Sequence, residues 1–84
     1  MELSISNLKK ILANSSSLGD DVLNFNDDVS ITEQGVDSLD MLDYFLNLEE
    51  AYNVKIPDTD IEKVKTFAAL FQYLKEKMDE VQNS

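Results

Sequence analysis

Ser38-Leu39-Asp40-Met41-Leu42-Asp43-Tyr44-Phe45-Leu46-Asn47-Leu48-Glu49-Glu50-Ala51-Tyr52 is the stretch on which the fold turns. It holds neither glycine nor proline, and Gly35 lies just before it. At about 100° per residue, Asp40, Asp43, Asn47 and Glu50 share one narrow polar arc of a helix, with Met41, Phe45, Leu48 and Tyr52 roughly opposite. Leu39, Leu42 and Leu46 form a third stripe bordering the acidic arc. An apolar surface this broad exceeds what one neighbouring helix covers. Either the helix is central in a bundle, or part of its apolar edge is left for a partner.

Upstream, Ile5, Leu8, Ile11 and Leu12 recur at helical spacing behind Ser4, a residue type suited to an N-cap. The spacing predicts a helix from about residue 4 to residue 15, with Lys9 and Lys10 pointing away from its apolar stripe. Residues 16–36 are irregular, and Val22, Leu23, Phe25, Val29 and Ile31 supply apolar anchors. They read as a packed loop with at most one short helical turn; a short strand is the alternative, without an evident partner strand. Downstream, Pro57 stops the central helix from continuing, and Asp58 is placed to cap a short helix through about Val64. Thr66 then caps a last helix in which Phe67, Leu70, Phe71, Leu74, Met78 and Val81 recur at helical spacing. The expected fold is all-α: a small four-helix bundle of three longer helices and one short one, with a long loop between helices 1 and 2, in a single domain over residues 1–84.

Composition narrows the chemistry. A chain of 84 residues has a modest core, burying roughly 60–65% of its unfolded surface. There is no cysteine for a disulfide or thiolate metal site, and no histidine, the commonest general base and metal ligand. The start of the chain lacks the basic and apolar regions of a signal peptide, and no stretch approaches membrane-spanning length, so the expectation is a soluble, cytoplasmic protein without membrane insertion. The net charge is −10, and the window from Ile11 to Val54 contains no basic residue. A single-sign field of this kind repels nucleic acid and attracts basic protein surfaces.

The motif that carries chemistry is Gly35-Val36-Asp37-Ser38-Leu39-Asp40. Ser38 falls at the N-terminus of the acidic helix, where unpaired N–H groups and partial positive charge favour a phosphodiester. Alternatively, Asp37 or Ser38 caps the helix and does nothing more. The context extends the pattern: Leu42, Leu46, Glu49-Glu50 and Tyr52 follow, then Val54-Lys55-Ile56-Pro57-Asp58, then Lys65-Thr66-Phe67 with Leu70 and Tyr73-Leu74. Together, over roughly residues 31–77, these resemble the acyl carrier proteins, and Gly35 to Asp40 resembles their prosthetic-group attachment motif.

The resemblance implies that Ser38 accepts a 4'-phosphopantetheine arm from coenzyme A, added by a separate phosphopantetheinyl transferase with Mg²⁺. The carrier is then not an enzyme and needs no general base of its own. It also implies that acyl groups ride as thioesters on the arm, in fatty acid or polyketide biosynthesis. Asp37, Asp40, Asp43 and Glu50 match acidic positions shown to basic patches on acyl-loading and synthase enzymes, and Leu39, Leu42 and Leu46 match apolar contact positions. A monomer is implied. So is an acyl-sheltering cleft, here lined by Phe45, Leu46, Ile61, Ala68 and Phe71. Two departures stand out: Tyr44 and Phe45 are bulkier than the small aliphatics common at such positions, and Gln34 replaces a frequent leucine, which loosens the expected anchor of the loop.

Other readings compete. Asn24 to Asp28 resembles the start of a calcium-binding EF-hand loop, but Val29 and Gly35 occupy the positions that need Gly and Glu. The run from Asp58 fails likewise, with Lys63 and Ala69 there. A carboxylate hydrolase built on Asp37, Asp40 and Asp43 lacks a cleft. A carrier-like interaction domain whose serine is never modified, and a peptidyl or alanyl carrier, stay open beside the acyl carrier.

Overall fold

The computed structural model describes residues 2–83, with side chains described through residue 79. Helix α1 runs Ile5–Ser15 and is opened by Ser4, whose Oγ accepts the Asn7 N–H at 3.0 Å. Helix α2 spans Ser38–Tyr52, α3 is the single turn Asp58–Ile61, and α4 covers Phe67–Asn83. Thr66 caps α4 as expected, its Oγ1 accepting the Ala69 N–H at 3.0 Å. No strand occurs among the described residues. The architecture is the all-α bundle the periodicity predicts: three long helices and one short.

The core draws on every long helix. Leu8 and Leu12 of α1, Tyr44 and Leu48 of α2, and Phe67, Leu70 and Leu74 of α4 are fully buried. Phe71 and Met78 are partly buried against this cluster, and the Val81 side chain lies outside the described residues. Tyr52 ties α2 to the chain start, donating to the Glu2 carbonyl at 3.2 Å. Asn53 ends α2 with φ 54°, a left-handed conformation that asparagine tolerates.

The long connection is more ordered than its sequence implies. It holds two 3₁₀ turns, Gly19–Asn24 and Thr32–Gln34, rather than at most one helical turn. Of its five apolar residues, Val22 and Ile31 are fully buried and Phe25 packs at the core's edge. Leu23 and Val29 are exposed and anchor nothing. Two polar side chains do the anchoring instead. Lys9 turns inward, not away. Its ammonium donates to the Phe25 carbonyl at 2.8 Å, pairs with Asp27 at 2.7 Å and lies 5.6 Å from the Phe67 ring centroid. Gln34 fastens the loop rather than loosening it: its Oε1 accepts the Asn26 N–H at 2.7 Å, while its amide donates to the carbonyls of Asn26 at 2.9 Å and Val29 at 3.0 Å.

Gln34→Ala removes all three bonds together. It is expected to cost about 1–2 kcal/mol and to speed hydrogen exchange at the Asn26 N–H above that of the helices, read by NMR. Unchanged exchange at Asn26 would show that the loop is held elsewhere.

Helix α3 differs from the expectation at both ends. Pro57, extended at φ −62° and ψ 151°, holds the cap position, and Asp58 is the first helical residue, without a capping bond. The helix stops at Ile61 because the chain tightens into three-residue turns, Lys63 N–H to Asp60 and Val64 N–H to Ile61. Val64 is buried, while Ile61 is half-buried. Tyr73 of α4 holds α3 in place by donating to Asp60 Oδ2 at 2.7 Å. That bond chiefly, with the charges of Lys63 and Lys77, keeps the Asp60 carboxyl below its ordinary pKa against partial desolvation. A depressed pKa stabilises the fold above the unfolded carboxylate range, and the benefit fades as pH falls through the folded value. Tyr73→Phe is therefore expected to lower stability at neutral pH, with the gap to wild type narrowing below about pH 4 in melts across a pH series. A gap independent of pH would contradict it.

Candidate functional site

Gly35 explains why the site begins where it does. The 3₁₀ turn Thr32–Gln34 ends on Gly35 at φ 114°, a backbone conformation open to glycine and strained for other residues. From there the chain straightens through Asp37, at φ −66° and ψ 146°, and enters α2. Asp37 caps the helix, its Oδ1 accepting the Leu39 N–H at 2.9 Å. Capping is thus assigned to Asp37, and Ser38 is left as the first residue of α2, exposed, with no hydrogen bond to its Oγ among the described residues. A hydroxyl that is surface-placed, uncommitted and at a helix N-terminus suits a phosphodiester linkage.

Beside Ser38 opens a pocket of about 340 Å³, lined by Ser30, Thr32, Ser38, Met41, Leu42, Phe45, Ile61, Glu62, Val64 and Lys65. Three segments build it: the end of the long loop, the first half of α2, and the stretch from α3 towards α4. The Ile31 N–H donates to the Lys65 carbonyl at 2.8 Å and closes loop to stretch. At the polar side, the Ser30 and Thr32 hydroxyls lie 3.2 Å apart and Lys65 pairs with Glu62 at 3.0 Å. Met41, Leu42, Phe45, Ile61 and Val64 give the rest an apolar surface. Of the cleft residues expected from sequence, Phe45 and Ile61 line it. Leu46 faces solvent instead, and Ala68 and Phe71, on α4, do not line it.

The outer surface of α2 falls out as the helical wheel predicts. Leu39, Leu42 and Leu46 are 70%, 54% and 62% exposed, too much for core residues. Asp37, Asp43 and Glu50 are exposed beside them and Asp40 is half-buried. The structure thereby gathers Ser38, the three leucines and the acidic side chains on one face of one helix. Two neighbours on that helix have structural work: Asn47 donates to Ser15 Oγ at 2.7 Å, and the Glu49 carboxylate accepts the Ile56 N–H at 2.8 Å.

Periodicity alone overlooked Tyr44. It is fully buried, and its hydroxyl donates to the Leu8 carbonyl of α1 at 2.9 Å. Burial, aided by Tyr52, pushes the phenol well above its ordinary pKa, so it stays a neutral donor. Among the described residues no cluster of carboxylates is arranged to hold a metal ion, and no helix is long and apolar enough to cross a membrane.

Residues 8–74 match the family described as the phosphopantetheine attachment site. An acyl carrier protein of Brachyspira hyodysenteriae is 34% identical over 77 residues, covering 86% of this chain and 92% of the relative. An acyl carrier protein of Campylobacter lari is 33% identical over 67 residues, covering 80% of this chain and 86% of the relative. One from Syntrophobacter fumaroxidans is 43% identical over 44 residues, 52% of this chain and 54% of the relative's length. No solved structure matches the chain significantly.

Proposed function

Because the chain belongs to the phosphopantetheine attachment family of acyl carrier proteins, we propose that it is a discrete carrier domain whose arm is attached at Ser38. The observation that carries this reading is the Ser38 hydroxyl, exposed, free of the capping duty that Asp37 performs, and placed at the mouth of the apolar pocket. Its Oγ is the nucleophile that attacks the β-phosphorus of coenzyme A. The new O–P bond forms as the 3',5'-ADP moiety leaves, and the serine proton passes to a base of the transferase, since this chain has no histidine to take it. The attached arm supplies a terminal thiol that carries acyl groups as thioesters.

The rest of the chain's work is binding and orientation. Asp37, Asp40, Asp43 and Glu50 draw basic surfaces of the transferase and of acyl-loading and synthase enzymes, and Leu39, Leu42 and Leu46 make the apolar contact. Charges at such a rim act mainly on association rate and orientation, which suits a shuttle that must also leave its partner. The service is to fatty acid or polyketide-type synthesis, with the chain acting as carrier and not as catalyst.

The absence of cysteine makes the test simple. After incubation with coenzyme A, Mg²⁺ and a broad-specificity phosphopantetheinyl transferase, then removal of free coenzyme, the wild type should titrate one thiol per chain and Ser38→Ala none. A folded wild type with no thiol, beside a control carrier that gains one, would favour the unmodified interaction domain.

A further inference from the structure

A phosphodiester on Ser38 adds a negative charge where the chain already has several. Asp37 precedes Ser38, Asp40 lies in the first turn of α2, and Glu62 lines the neighbouring pocket. The window from Ile11 to Val54 has no basic residue, so neither α2 nor the long loop brings a cation to the group. Repulsion among these charges drives the phosphate outward unless a cation answers it. Among the described residues, Lys65 is the one cation in the pocket lining. Its carbonyl accepts the Ile31 N–H at 2.8 Å, which seats its backbone against the loop bearing Ser30 and Thr32. Those two hydroxyls lie 3.2 Å apart and line the same pocket.

Lys65 is also weakly committed. Its ion pair with Glu62 spans 3.0 Å between side chains 59% and 77% exposed, and pairs so open to water contribute little. An anion tethered to Ser38 competes for the ammonium at high effective concentration, and serine and threonine hydroxyls can donate to the same anion. Resting on the attachment at Ser38, we propose that Lys65 is a positioning residue for the arm: its ammonium leaves Glu62 for the phosphodiester and, with Ser30 and Thr32, holds that group at the polar side of the pocket. The restraint falls on the root of the arm and leaves its thiol end free for partner enzymes.

The test compares amide NMR spectra before and after attachment, with modification verified by intact mass. Attachment should shift the signals of Ser30, Thr32 and Lys65 as well as those beside Ser38. In Lys65→Gln the shifts at Ser30 and Thr32 should vanish while those at Leu39 persist. Lys65→Arg should restore them, since a guanidinium also pairs with phosphate. Lys63→Gln removes a charge that is 74% exposed and does not line the pocket, and should leave every shift near the wild-type value. Attachment should also raise the wild type's folded-to-unfolded ratio in urea by up to about fivefold more than that of Lys65→Gln, the range for one exposed ion pair. Shifts at Ser30 and Thr32 that ignore Lys65→Gln, or that Lys63→Gln abolishes equally, would overturn the proposal while leaving the attachment intact. No mass gain on the wild type would overturn the attachment, and the proposal with it.

Discussion

Tyr44→Ala should remove about 3–5 kcal/mol of stability, as deletion of a buried aromatic side chain does. Tyr44 is fully buried where α1 and α2 meet, so the vacated space is bounded by Leu8 and Phe45, both packed against other core residues. Small domains have totals near the low end of about 5–15 kcal/mol, so the variant should retain only about 0–2 kcal/mol and be marginally folded. Tyr44→Phe separates the two parts of this effect. It keeps the ring and loses only the bond to Leu8, at a cost of about 1 kcal/mol. Urea unfolding followed by circular dichroism measures both. A cost below about 1 kcal/mol for the alanine variant would mean that the core collapses around the gap.

Charge reversal on α2 should do the opposite, leaving the fold and removing the encounter. Asp43 and Glu50 are exposed, and neither forms an ion pair among the described residues. Asp43→Lys combined with Glu50→Lys is expected to change stability by less than about 0.5 kcal/mol for each site. Steered association is worth a factor of 10 or more in rate, so kcat/KM of the transferase for this protein should fall about 10- to 100-fold at low ionic strength. Added salt should narrow that gap, since screening acts at about 8 Å near physiological strength. Leu42→Ala should instead act on dissociation, with little salt dependence. Kinetics that ignore the charge reversal at low salt would remove α2 from the interface.

Helical periodicity made much of this legible in advance. The stripes of α2 separate the buried Met41, Phe45, Leu48 and Tyr52 from the exposed Leu39, Leu42 and Leu46, because a regular helix leaves only rotation to be decided. Ser4 and Thr66 were legible as caps because a cap is a local device, completed within three residues. What local pattern does not encode is a polar group whose partner is distant in the chain. Lys9 reaches 16 residues to Phe25 and Tyr44 reaches 36 residues to Leu8, so a lysine beside an apolar stripe and a tyrosine in a mixed helix carry no sign of either bond. Gln34 misled for the same reason, its three bonds depending on how residues 26–29 curl back. The pocket was half legible: the helices supplied Phe45 and Ile61, but Ser30, Thr32, Val64 and Lys65 lie on irregular chain that the Ile31 to Lys65 hydrogen bond joins.

Attachment at Ser38 is the central claim, and the sequence offers a clean way to locate it. Cleavage after Glu33 and Glu49 releases residues 34–49, within which Ser38 is the one serine and no threonine occurs. Fragmentation of that peptide from transferase-treated protein should place the phosphopantetheine mass on Ser38. An increment found on any other fragment, or on none while a control carrier is fully modified, would contradict it.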